Sequence, residues 1–266
     1  MPHKRSYGSK RRREEKRVRA GCMQEEGPVE KKPRRCSEGE IQQIRYLRCL
    51  RSPEGKTAVL LRKVFPPEQM ANLAHLLLDD YASAWQYIDD RTRGPKKFFI
   101  LGKWCQRGHY TPGIDRLYPA GEASQLPEPD VQRIVSNLST CALAATAYLK
   151  RFTPQHYELV NQLPSDARPF FAFPLFMAVK GVARMHRDSN DLVAFLFLIK
   201  SDGDGGELEL GYTGKCLRWQ VGDAVLLESS KLWHGTRSFI GGDRVVGIFI
   251  IHRVVLQLYG LLPPKE

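Results

Sequence analysis

The second half of the chain carries short apolar segments separated by turn-forming residues, and this pattern constrains the fold more than any other feature. Residues 192–199 are apolar almost without interruption, which is typical of a strand buried on both faces. Residues 207–210 alternate Glu and Leu, which predicts a half-exposed strand. Many short, closely spaced strands favour a sandwich or a barrel. The predicted strands span residues 173–179, 192–199, 207–210, 216–221, 224–227, 232–236 and 245–252.

Amphipathic segments precede these strands. Pro66 and Pro67 open a segment of roughly twenty residues with apolar side chains at helical spacing. Residues 130–152 repeat that spacing, and residues 154–163 are expected to form a further short helix. We therefore predict an α+β fold, in which N-terminal helices support a double-stranded β-helix (jelly-roll) core.

The N-terminal segment differs in composition from the rest of the chain. The net charge is +12, and residues 1–36 alone carry 13 Lys and Arg against 5 Asp and Glu. Too few apolar residues lie between the basic clusters at 10–13 and 31–35 to offset the entropy of ordering. We predict a disordered basic tail over residues 1–39 and one folded domain over residues 40–266. Basic clusters suit nuclear import or phosphate contacts, and a solubilising tail is the alternative.

The remaining composition limits the class of protein. Six cysteines are scattered without a CxxC pair, so the sequence offers no Cys-based zinc site. The Arg-rich N-terminus has no apolar segment, and we expect no secretory signal. No apolar run reaches the length of a membrane span. We expect a reducing, intracellular compartment with free thiols.

A long segment between the predicted helices, residues 89–130, has a composition of its own. A strand-like stretch at 98–101 runs into residues rich in Gly, Pro, Tyr, Arg and Lys. Aromatic residues interleaved with basic ones offer stacking surfaces beside phosphate contacts. We predict that the basic loop at 91–116 faces the substrate, with a simple surface loop as the alternative.

Three residues of the second half form a possible metal site. His186 and Asp188 are separated by one residue, so on a strand both point to the same side. His234 follows about fifty residues later at the start of another predicted strand. Two His and one carboxylate form the facial triad of non-haem Fe(II) oxygenases, which leaves positions open for a co-substrate and dioxygen. An HxD pair alone is a weak motif, but the strand pattern and His234 strengthen it.

Arg244 lies ten residues after His234 and opens an apolar segment. A guanidinium binds a carboxylate through two parallel hydrogen bonds. If it faces the metal pocket, Arg244 can anchor the distal carboxylate of 2-oxoglutarate while the keto-acid end chelates iron. The alternative is a surface arginine that follows the turn at 241–243.

Residues 173–252 resemble the Fe(II)/2-oxoglutarate dioxygenases and, within them, the TET/JBP nucleobase oxygenases. The resemblance covers roughly the last hundred residues and, more loosely, the helices before them. The matching motifs are His186-Arg187-Asp188 with nearby Asp191, Gly205–Leu210, Val221–Val225, Trp233-His234-Gly235, Arg244 and His252.

The resemblance implies a role for six residues. It implies the iron ligands His186, Asp188 and His234, the 2-oxoglutarate anchor Arg244, and the base contacts Asp191 and His252. Asp191 would accept a hydrogen bond from an exocyclic amine, which favours cytosine over thymine. His252 would bond a carbonyl or ring nitrogen of the base, and a strand-end histidine without a ligand role is the alternative.

The sequence departs from the usual pattern of these enzymes at two points. Many of them place Ser or Thr two residues after the anchoring Arg, whereas this chain has Val246. The second partner of the 2-oxoglutarate carboxylates is not identified, and Arg184 and Lys180 are the candidates.

The activity that the resemblance implies is oxidation of the 5-methyl group of 5-methylcytosine in DNA, in the nucleus, with Fe(II), 2-oxoglutarate and O2. A base inside a duplex cannot reach such a pocket, so the target base must be flipped out. Alternatives are a 2-oxoglutarate oxygenase acting on thymine, an N-alkylated base or a protein side chain, and a catalytically silent nucleic-acid-binding protein. The two-arginine signature of AlkB-like enzymes is not evident after His234, and prolyl-hydroxylase-like enzymes commonly have Lys in place of Arg244.

Overall fold

The computed structural model describes the part of the chain after the basic tail. The described residues are 41–42, 48–51, 57–90, 93–103, 118–119, 126–211 and 215–263. All of them belong to one compact unit, residues 33–266. The predicted disordered tail, and residues 91–92 and 104–116 of the predicted substrate-facing loop, lie outside the described residues.

Strands dominate the described part of the chain. The helices are α1 (Pro67–His75), α2 (Glu128–Phe152), α3 (Pro154–Asn161) and α4 (Arg253–Leu258). The strands are β1 (Ile41–Gln42), β2 (Arg48–Arg51), β3 (Thr57–Leu61), β4 (Gln86–Asp90), β5 (Gly94–Gly102), β6 (Tyr118–Pro119), β7 (Leu175–Lys180), β8 (Asp191–Ser201), β9 (Asp204–Gly205), β10 (Leu208–Leu210), β11 (Lys215–Leu217), β12 (Ala224–Leu227), β13 (His234–Thr236), β14 (Phe239–Ile240) and β15 (Arg244–His252).

The strands form a large and a small sheet that pack against each other. The large sheet has the order β2-β3-β12-β8-β15-β7-β5-β4, with β6 beside β5. The small sheet has the order β1-β11-β10-β13, and β9 pairs with β14 as a separate ribbon. Leu196 of β8 and Leu208 of β10 belong to one apolar cluster between the two sheets. This arrangement confirms the predicted α+β fold with a jelly-roll core.

Strand β8 is buried on both faces, as its continuous apolar sequence predicts. Phe195 and Phe197 point toward the helices, where they share a core with residues of α1 and α2. Ala194 and Leu196 point toward the small sheet. Each fully buried Phe stabilises the fold by about 1.5–3 kcal/mol relative to an exposed one. The helices therefore hold one face of the large sheet, and the other face is left for the site.

The first helix is shorter than the sequence predicts. After α1, the chain continues as a π-helical turn over Leu76–Asp80 and a 3-10 turn over Ala82–Ala84. The indole N–H of Trp85 donates a hydrogen bond to the Leu77 carbonyl oxygen at 2.7 Å, which directs the chain into β4. Helix α2 agrees with its prediction, with acidic residues in its first turn and basic residues in its last turn that match the helix dipole.

The prediction that residues 207–210 form a half-exposed strand is wrong. Both glutamates of this segment are buried, with Glu207 7% and Glu209 5% exposed. Strand β10 lies between β11 and β13, so neighbouring side chains cover it on both sides. Glu207 lies 3.9 Å from the Nε atom of Arg218, and the Cys216 thiol donates toward Glu209 at 3.9 Å. The alternation of Glu and Leu in this segment therefore does not correspond to an alternation of exposed and buried side chains.

Two cysteines, Cys141 and Cys216, are described in full, and both are buried thiols. Burial raises the pKa of the Cys141 thiol to about 12, so this thiol stays protonated and unreactive. Among the described helices, none combines the length and the apolar character that a membrane crossing requires.

Candidate active site

The predicted metal-binding residues come together between the two sheets. His186 and Asp188 do not lie on a strand, as the sequence suggested, but on the loop that joins β7 to β8. His186 forms a single β-bridge with His234, in which each main-chain N–H donates to the other carbonyl oxygen at 2.8 and 2.9 Å. The main-chain N–H of Asp188 donates to the Ser229 carbonyl oxygen at 3.2 Å. These hydrogen bonds fix the backbone positions of His186 and Asp188, as pairing within a regular strand would.

The side chains of the three residues converge on one point. One ligand atom from each lies within 4.8 Å of the others. The Oδ2 atom of Asp188 is 3.3 Å from His234 Nε2, and its Oδ1 atom is 3.6 Å from His186 Nε2. Ligands about 2.1 Å from a metal ion and at right angles to each other lie roughly 3 Å apart. The separations in this cluster are close to that value.

Main-chain carbonyls fix the orientation of both imidazoles. His186 Nδ1 lies 2.6 Å from the Arg184 carbonyl oxygen, and His234 Nδ1 lies 3.0 Å from that of Leu232. Each Nδ1 therefore carries the proton and donates it to the carbonyl. This tautomer leaves the Nε2 lone pair of each ring directed at Asp188, which is the outer support that metal-binding histidines usually have.

The charge state of the cluster suits a divalent cation. Burial, with a contribution from His234, lowers the pKa of His186 to about 4, so this ring is neutral at physiological pH. Burial alone would raise the pKa of Asp188. The close approach of His234 and the positive charge of Arg93 outweigh that effect and hold the pKa of Asp188 well below its usual range. A neutral imidazole and an ionised carboxylate are the forms that bind metals.

Arg93 supports the cluster and was not identified from the sequence as a site residue. Its Nη2 atom lies 2.7 Å from Asp188 Oδ1. Its carbonyl oxygen accepts a hydrogen bond from the Arg184 N–H at 2.9 Å, which ties the start of β5 to the loop that carries Asp188. The basic composition of residues 91–116 was the only signal in the sequence that pointed to this region.

Arg244 is a buried cation without an acidic partner. It is 4% exposed at the start of β15, and no described carboxylate forms a salt bridge with it. Its Nη1 atom donates to the Gly181 carbonyl oxygen at 3.1 Å, and its Nε atom has no hydrogen-bond partner within the described residues. Burial lowers its pKa to about 10, against the opposing effect of Glu207. Leaving a guanidinium in this state is costly unless an anion binds to it.

The neighbours of Arg244 leave room for its side chain. The guanidinium carbon lies 5.5 Å from the centre of the Trp219 ring, in cation–π geometry. Gly206 has a φ of +75°, and a Cβ atom there would lie 2.7 Å from Arg244 Nε. A side chain at Gly206 would therefore displace the arginine. The surface-arginine alternative for Arg244 is excluded.

One cavity of about 90 Å³ is lined by the three residues of the His-Asp-His cluster, by Arg244 and by Asp191. The large sheet supplies apolar side chains from β7, β8 and β15, and the small sheet supplies residues of β10 and β13. Val246 lines this cavity, so an apolar side chain stands where related enzymes often have a hydroxyl. The lining also includes Arg93, Lys96, Met177, Val179, Ala194, Leu196, Leu208, Trp219, Thr236, Ile248 and Ile250.

The two sequence candidates for a second carboxylate partner do not line this cavity. Lys180 pairs with Asp243, with 2.7 Å between Nζ and Oδ1. Arg184 is exposed. Lys96 and Arg93 are the cationic side chains, besides Arg244, that the described structure brings to the cavity wall.

Asp191 and His252 are brought together, but they differ in their access to the cavity. They are paired in register between β8 and β15, and His252 Nε2 lies 3.7 Å from Asp191 Oδ1. Asp191 lines the cavity, whereas His252 does not. Burial raises the pKa of Asp191 well above its usual value, and the charge of Asp188 adds to the effect. Burial lowers the pKa of His252 to about 4, with Asp188 opposing.

Comparison with known proteins shows similarity in fold to solved structures, at low sequence identity. No protein-family model matches the chain, and no curated protein matches it either. Among solved structures, NgTET1 in complex with 5mC DNA is similar, with a TM-score of 0.61, 14% sequence identity, and coverage of 82% of this chain and 81% of that chain. An oxidoreductase of the 2OG-Fe(II) oxygenase family from Burkholderia pseudomallei has a TM-score of 0.50 and 12% identity, over 74% of this chain and 85% of that chain. At these identities the similarity establishes that this chain has the fold of those oxygenases.

Proposed function

We propose that this chain is an Fe(II)/2-oxoglutarate-dependent dioxygenase that oxidises the 5-methyl group of 5-methylcytosine in DNA. The main observation behind the proposal is that a His-Asp-His cluster and a buried arginine line the same cavity. No described carboxylate forms a salt bridge with this arginine. The fold shared with oxygenase structures supports the same class of enzyme.

The cluster is the part of the site that would hold the metal. His186, Asp188 and His234 would bind Fe(II) through two Nε2 atoms and a carboxylate oxygen. With 2-oxoglutarate and O2, bound Fe(II) supplies oxidation of an unactivated C–H bond, with succinate and carbon dioxide as the other products. The carbonyls of Arg184 and Leu232 hold the imidazoles in the required tautomer, and Arg93 holds the carboxylate in its ionised form.

Arg244 would bind the distal carboxylate of 2-oxoglutarate. A carboxylate would satisfy the Nε atom and neutralise a cation that is otherwise buried without an acid. Trp219 packs on the guanidinium and fixes its plane, and Thr236 brings a hydroxyl to the same cavity. The apolar side chains of the large sheet exclude water from the remainder of the cavity.

The choice of 5-methylcytosine in DNA rests on the cavity wall beside the cluster. An oxygen of Asp191 would accept a hydrogen bond from the exocyclic amine of a flipped cytosine. Ile250 and Ala194 supply apolar surface for the base and its methyl group. His252 does not line the cavity. It would therefore contact the base only after a side-chain movement, or affect base binding indirectly through Asp191. The similar NgTET1 structure contains 5mC DNA, which supports DNA as the substrate.

Positive charge on the chain favours a nucleic-acid partner. Arg93 and Lys96 line the cavity wall, and the whole chain carries a net charge of +12. The basic clusters at residues 10–13 and 31–35 are suited to nuclear import, and we propose a nuclear location on that basis.

The test is oxidation of a defined duplex. The full chain is incubated with Fe(II), 2-oxoglutarate, O2 and DNA containing 5-methylcytosine, and the nucleosides are measured by mass spectrometry together with succinate. We expect oxidised 5-methylcytosine and succinate, and neither product with His186→Ala. His75→Ala is the matched control because His75 is an exposed histidine paired with Asp79, away from the cavity.

Other outcomes of that assay separate the alternatives. Succinate released only with thymine-containing or N-alkylated DNA, or only with peptide, would retain the oxygenase and replace the substrate. Absence of succinate with every substrate would favour a nucleic-acid-binding protein without catalytic activity.

A further inference from the structure

A second cavity lies next to the candidate active site and is much larger. We call it the rear cavity, with a volume of about 610 Å³ against about 90 Å³ for the first. No site residue predicted from the sequence lines it. Its described lining consists of His156, Arg187, Ser189, Leu192, Ser230, Lys231, Trp233 and Arg253.

The rear cavity shares its backbone with the active site. Arg187 stands between His186 and Asp188, Trp233 precedes His234, and Arg253 follows His252. Neighbouring side chains on an extended backbone point in opposite directions. The same short segments therefore present site residues to the first cavity and basic or aromatic residues to the rear cavity.

Three residues of the rear cavity have buried nitrogen atoms without a hydrogen-bond partner. They are Nδ1 of His156, Nε1 of Trp233 and Nε of Arg253, judged within the described part of the chain. A buried donor without a partner is destabilising, and native proteins contain few of them. The residues that carry these three atoms all line the rear cavity, so a ligand there that accepts hydrogen bonds is the candidate partner once the side chains turn toward it.

The charges around the rear cavity favour an anion. Arg187, Lys231 and Arg253 are its cationic residues, and none of its described lining residues is acidic. Glu228 is an acid beside this cavity; its Oε1 atom lies 2.7 Å from Lys231 Nζ and neutralises that lysine in part. Burial lowers the pKa of His156, so this residue acts as a neutral donor. Two serines add hydroxyl groups.

The position of these groups distinguishes between types of anion. The donors come from four separate segments, namely α3, the loop before β8, the segment before β13 and the start of α4, rather than from one strand or helix. A planar carboxylate offers two oxygens in one plane, whereas a phosphoryl group offers oxygens in several directions. Arg187 is exposed and lies 5.1 Å from the centre of the Trp233 ring, so the site borders the protein surface.

We propose that the rear cavity binds a phosphoryl group, with Arg253, Trp233 and His156 as the inner donors and Lys231 and Arg187 at the entrance. The ligand comes either from a DNA backbone phosphate or from a free phosphate compound. This site does not depend on the proposed oxidation, because its occupancy is measured without turnover.

The first measurement uses inorganic phosphate as the probe. Binding to the full chain is measured by isothermal titration calorimetry and by the shift in melting temperature, with chloride at equal ionic strength as the reference. We expect phosphate to bind and stabilise the wild-type chain, and Arg253→Gln to weaken binding about tenfold or more, as expected for hydrogen bonds to a charged group. Lys231→Gln is a second variant, at a residue whose side chain is about half exposed.

Arg133→Gln is the matched control for loss of one positive charge. Arg133 is 57% exposed on α2 and pairs with Asp80, and it does not line the rear cavity. This variant should bind phosphate as the wild type does.

A second measurement identifies the source of the phosphoryl group. Duplexes that contain 5-methylcytosine are prepared with single neutral methylphosphonate linkages at successive positions around that base. If the ligand is a backbone phosphate, one linkage weakens binding to the wild type but not to Arg253→Gln, and inorganic phosphate competes with DNA. If the ligand is free phosphate, Arg253→Gln leaves DNA affinity unchanged and phosphate binds alongside DNA.

The proposal is overturned if phosphate behaves like chloride and no methylphosphonate position distinguishes wild type from Arg253→Gln. Equal weakening by Arg253→Gln and Arg133→Gln would also overturn it, because only general charge would then matter. Failure of 5-methylcytosine oxidation with intact phosphate binding would refute the proposed function and leave this site in place.

Discussion

The main-chain amides of His186 and His234 each donate a hydrogen bond to the carbonyl oxygen of the other residue, at 2.8 and 2.9 Å. This closed pair joins the loop before β8 to the start of β13, and it sets the two imidazole rings 4.4 Å apart between centroids. The pair determines where Asp188 can complete the cluster. Ligand geometry in this site is therefore a property of the backbone as well as of the side chains.

Arg244 provides the first prediction. Replacing it with Gln removes the buried guanidinium, so we expect the affinity for 2-oxoglutarate to fall about 100-fold, a loss of roughly 3 kcal/mol for a desolvated charged pair. Metal affinity should stay within about twofold of wild type. Calorimetric titration of each variant with 2-oxoglutarate, and separately with the metal, measures both. Equal loss of both affinities would assign Arg244 a structural role.

The second prediction adds a polar group to the cavity wall at Val246, whereas the first removes one. Val246→Thr introduces a buried hydroxyl into the cavity wall at nearly constant volume. Without a ligand, the unsatisfied hydroxyl should lower the free energy of unfolding by about 1–3 kcal/mol. With saturating 2-oxoglutarate, much of that loss should be recovered. Chemical denaturation with and without 2-oxoglutarate measures the difference, and a loss independent of 2-oxoglutarate would argue against a carboxylate at this position.

Asp191 is predicted to control the choice of base. Asp191→Asn keeps the size of the side chain but adds an amide donor, which can bond to the carbonyl of thymine. We expect the ratio of kcat/KM for 5-methylcytosine over thymine to fall by roughly tenfold or more, the effect of about one hydrogen bond. Competition between the two bases in otherwise identical duplexes measures this ratio. An unchanged ratio with lower overall activity would show that Asp191 does not read the base.

His252 should make the metal-free protein sensitive to acid. Its pKa is about 4 in the folded protein against about 6.5 when unfolded. Between these values the unfolded chain binds more protons, so acidification destabilises the fold by up to about 3 kcal/mol from this residue. The loss begins as pH falls below about 6.5 and levels off below about 4.

The difference between the wild type and His252→Gln isolates that effect. Asp191 acts in the opposite direction, because its raised pKa favours the folded state as pH falls, whereas His186, whose pKa is also lowered to about 4, adds to the loss; the wild-type profile alone therefore mixes several groups. Urea denaturation from pH 7 to pH 4 should show a shallower loss of stability in the variant. Parallel curves for the two proteins would contradict the buried, neutral state of His252.

The sequence predicted much of the fold because burial and local spacing agree there. The continuous apolar run of β8 and the helical spacing of α2 each specify one structure. The prediction was wrong for β10, because contacts with β11 and β13 bury its glutamates, and contacts between distant segments leave no local pattern. The first helix was overestimated because the chain changes from α-helical to π-helical and 3-10 turns after His75, and apolar spacing does not distinguish these conformations.

In the candidate site, too, local sequence patterns could be predicted and contacts between distant segments could not. His186, Asp188, His234 and Arg244 could be found because their residue types and spacing match a metal and carboxylate chemistry. Arg93 could not, since its relation to Asp188 depends on the pairing of β5 with β7. Trp219 and Thr236 were missed for the same reason, because Thr236 reaches the cavity from β13 of the small sheet and Trp219 from the segment that follows β11.

The proposed function requires that one cavity holds both the metal and 2-oxoglutarate. Anaerobic titration of the Fe(II)-loaded full chain with 2-oxoglutarate, followed by the charge-transfer absorption that a chelated 2-oxo acid produces on Fe(II), tests it most directly. The wild type should develop this absorption with saturation, Arg244→Gln should require about 100-fold more 2-oxoglutarate, and His186→Ala should show none. Fe(II) binding without the absorption, or the same saturation curve in wild type and Arg244→Gln, would contradict the account.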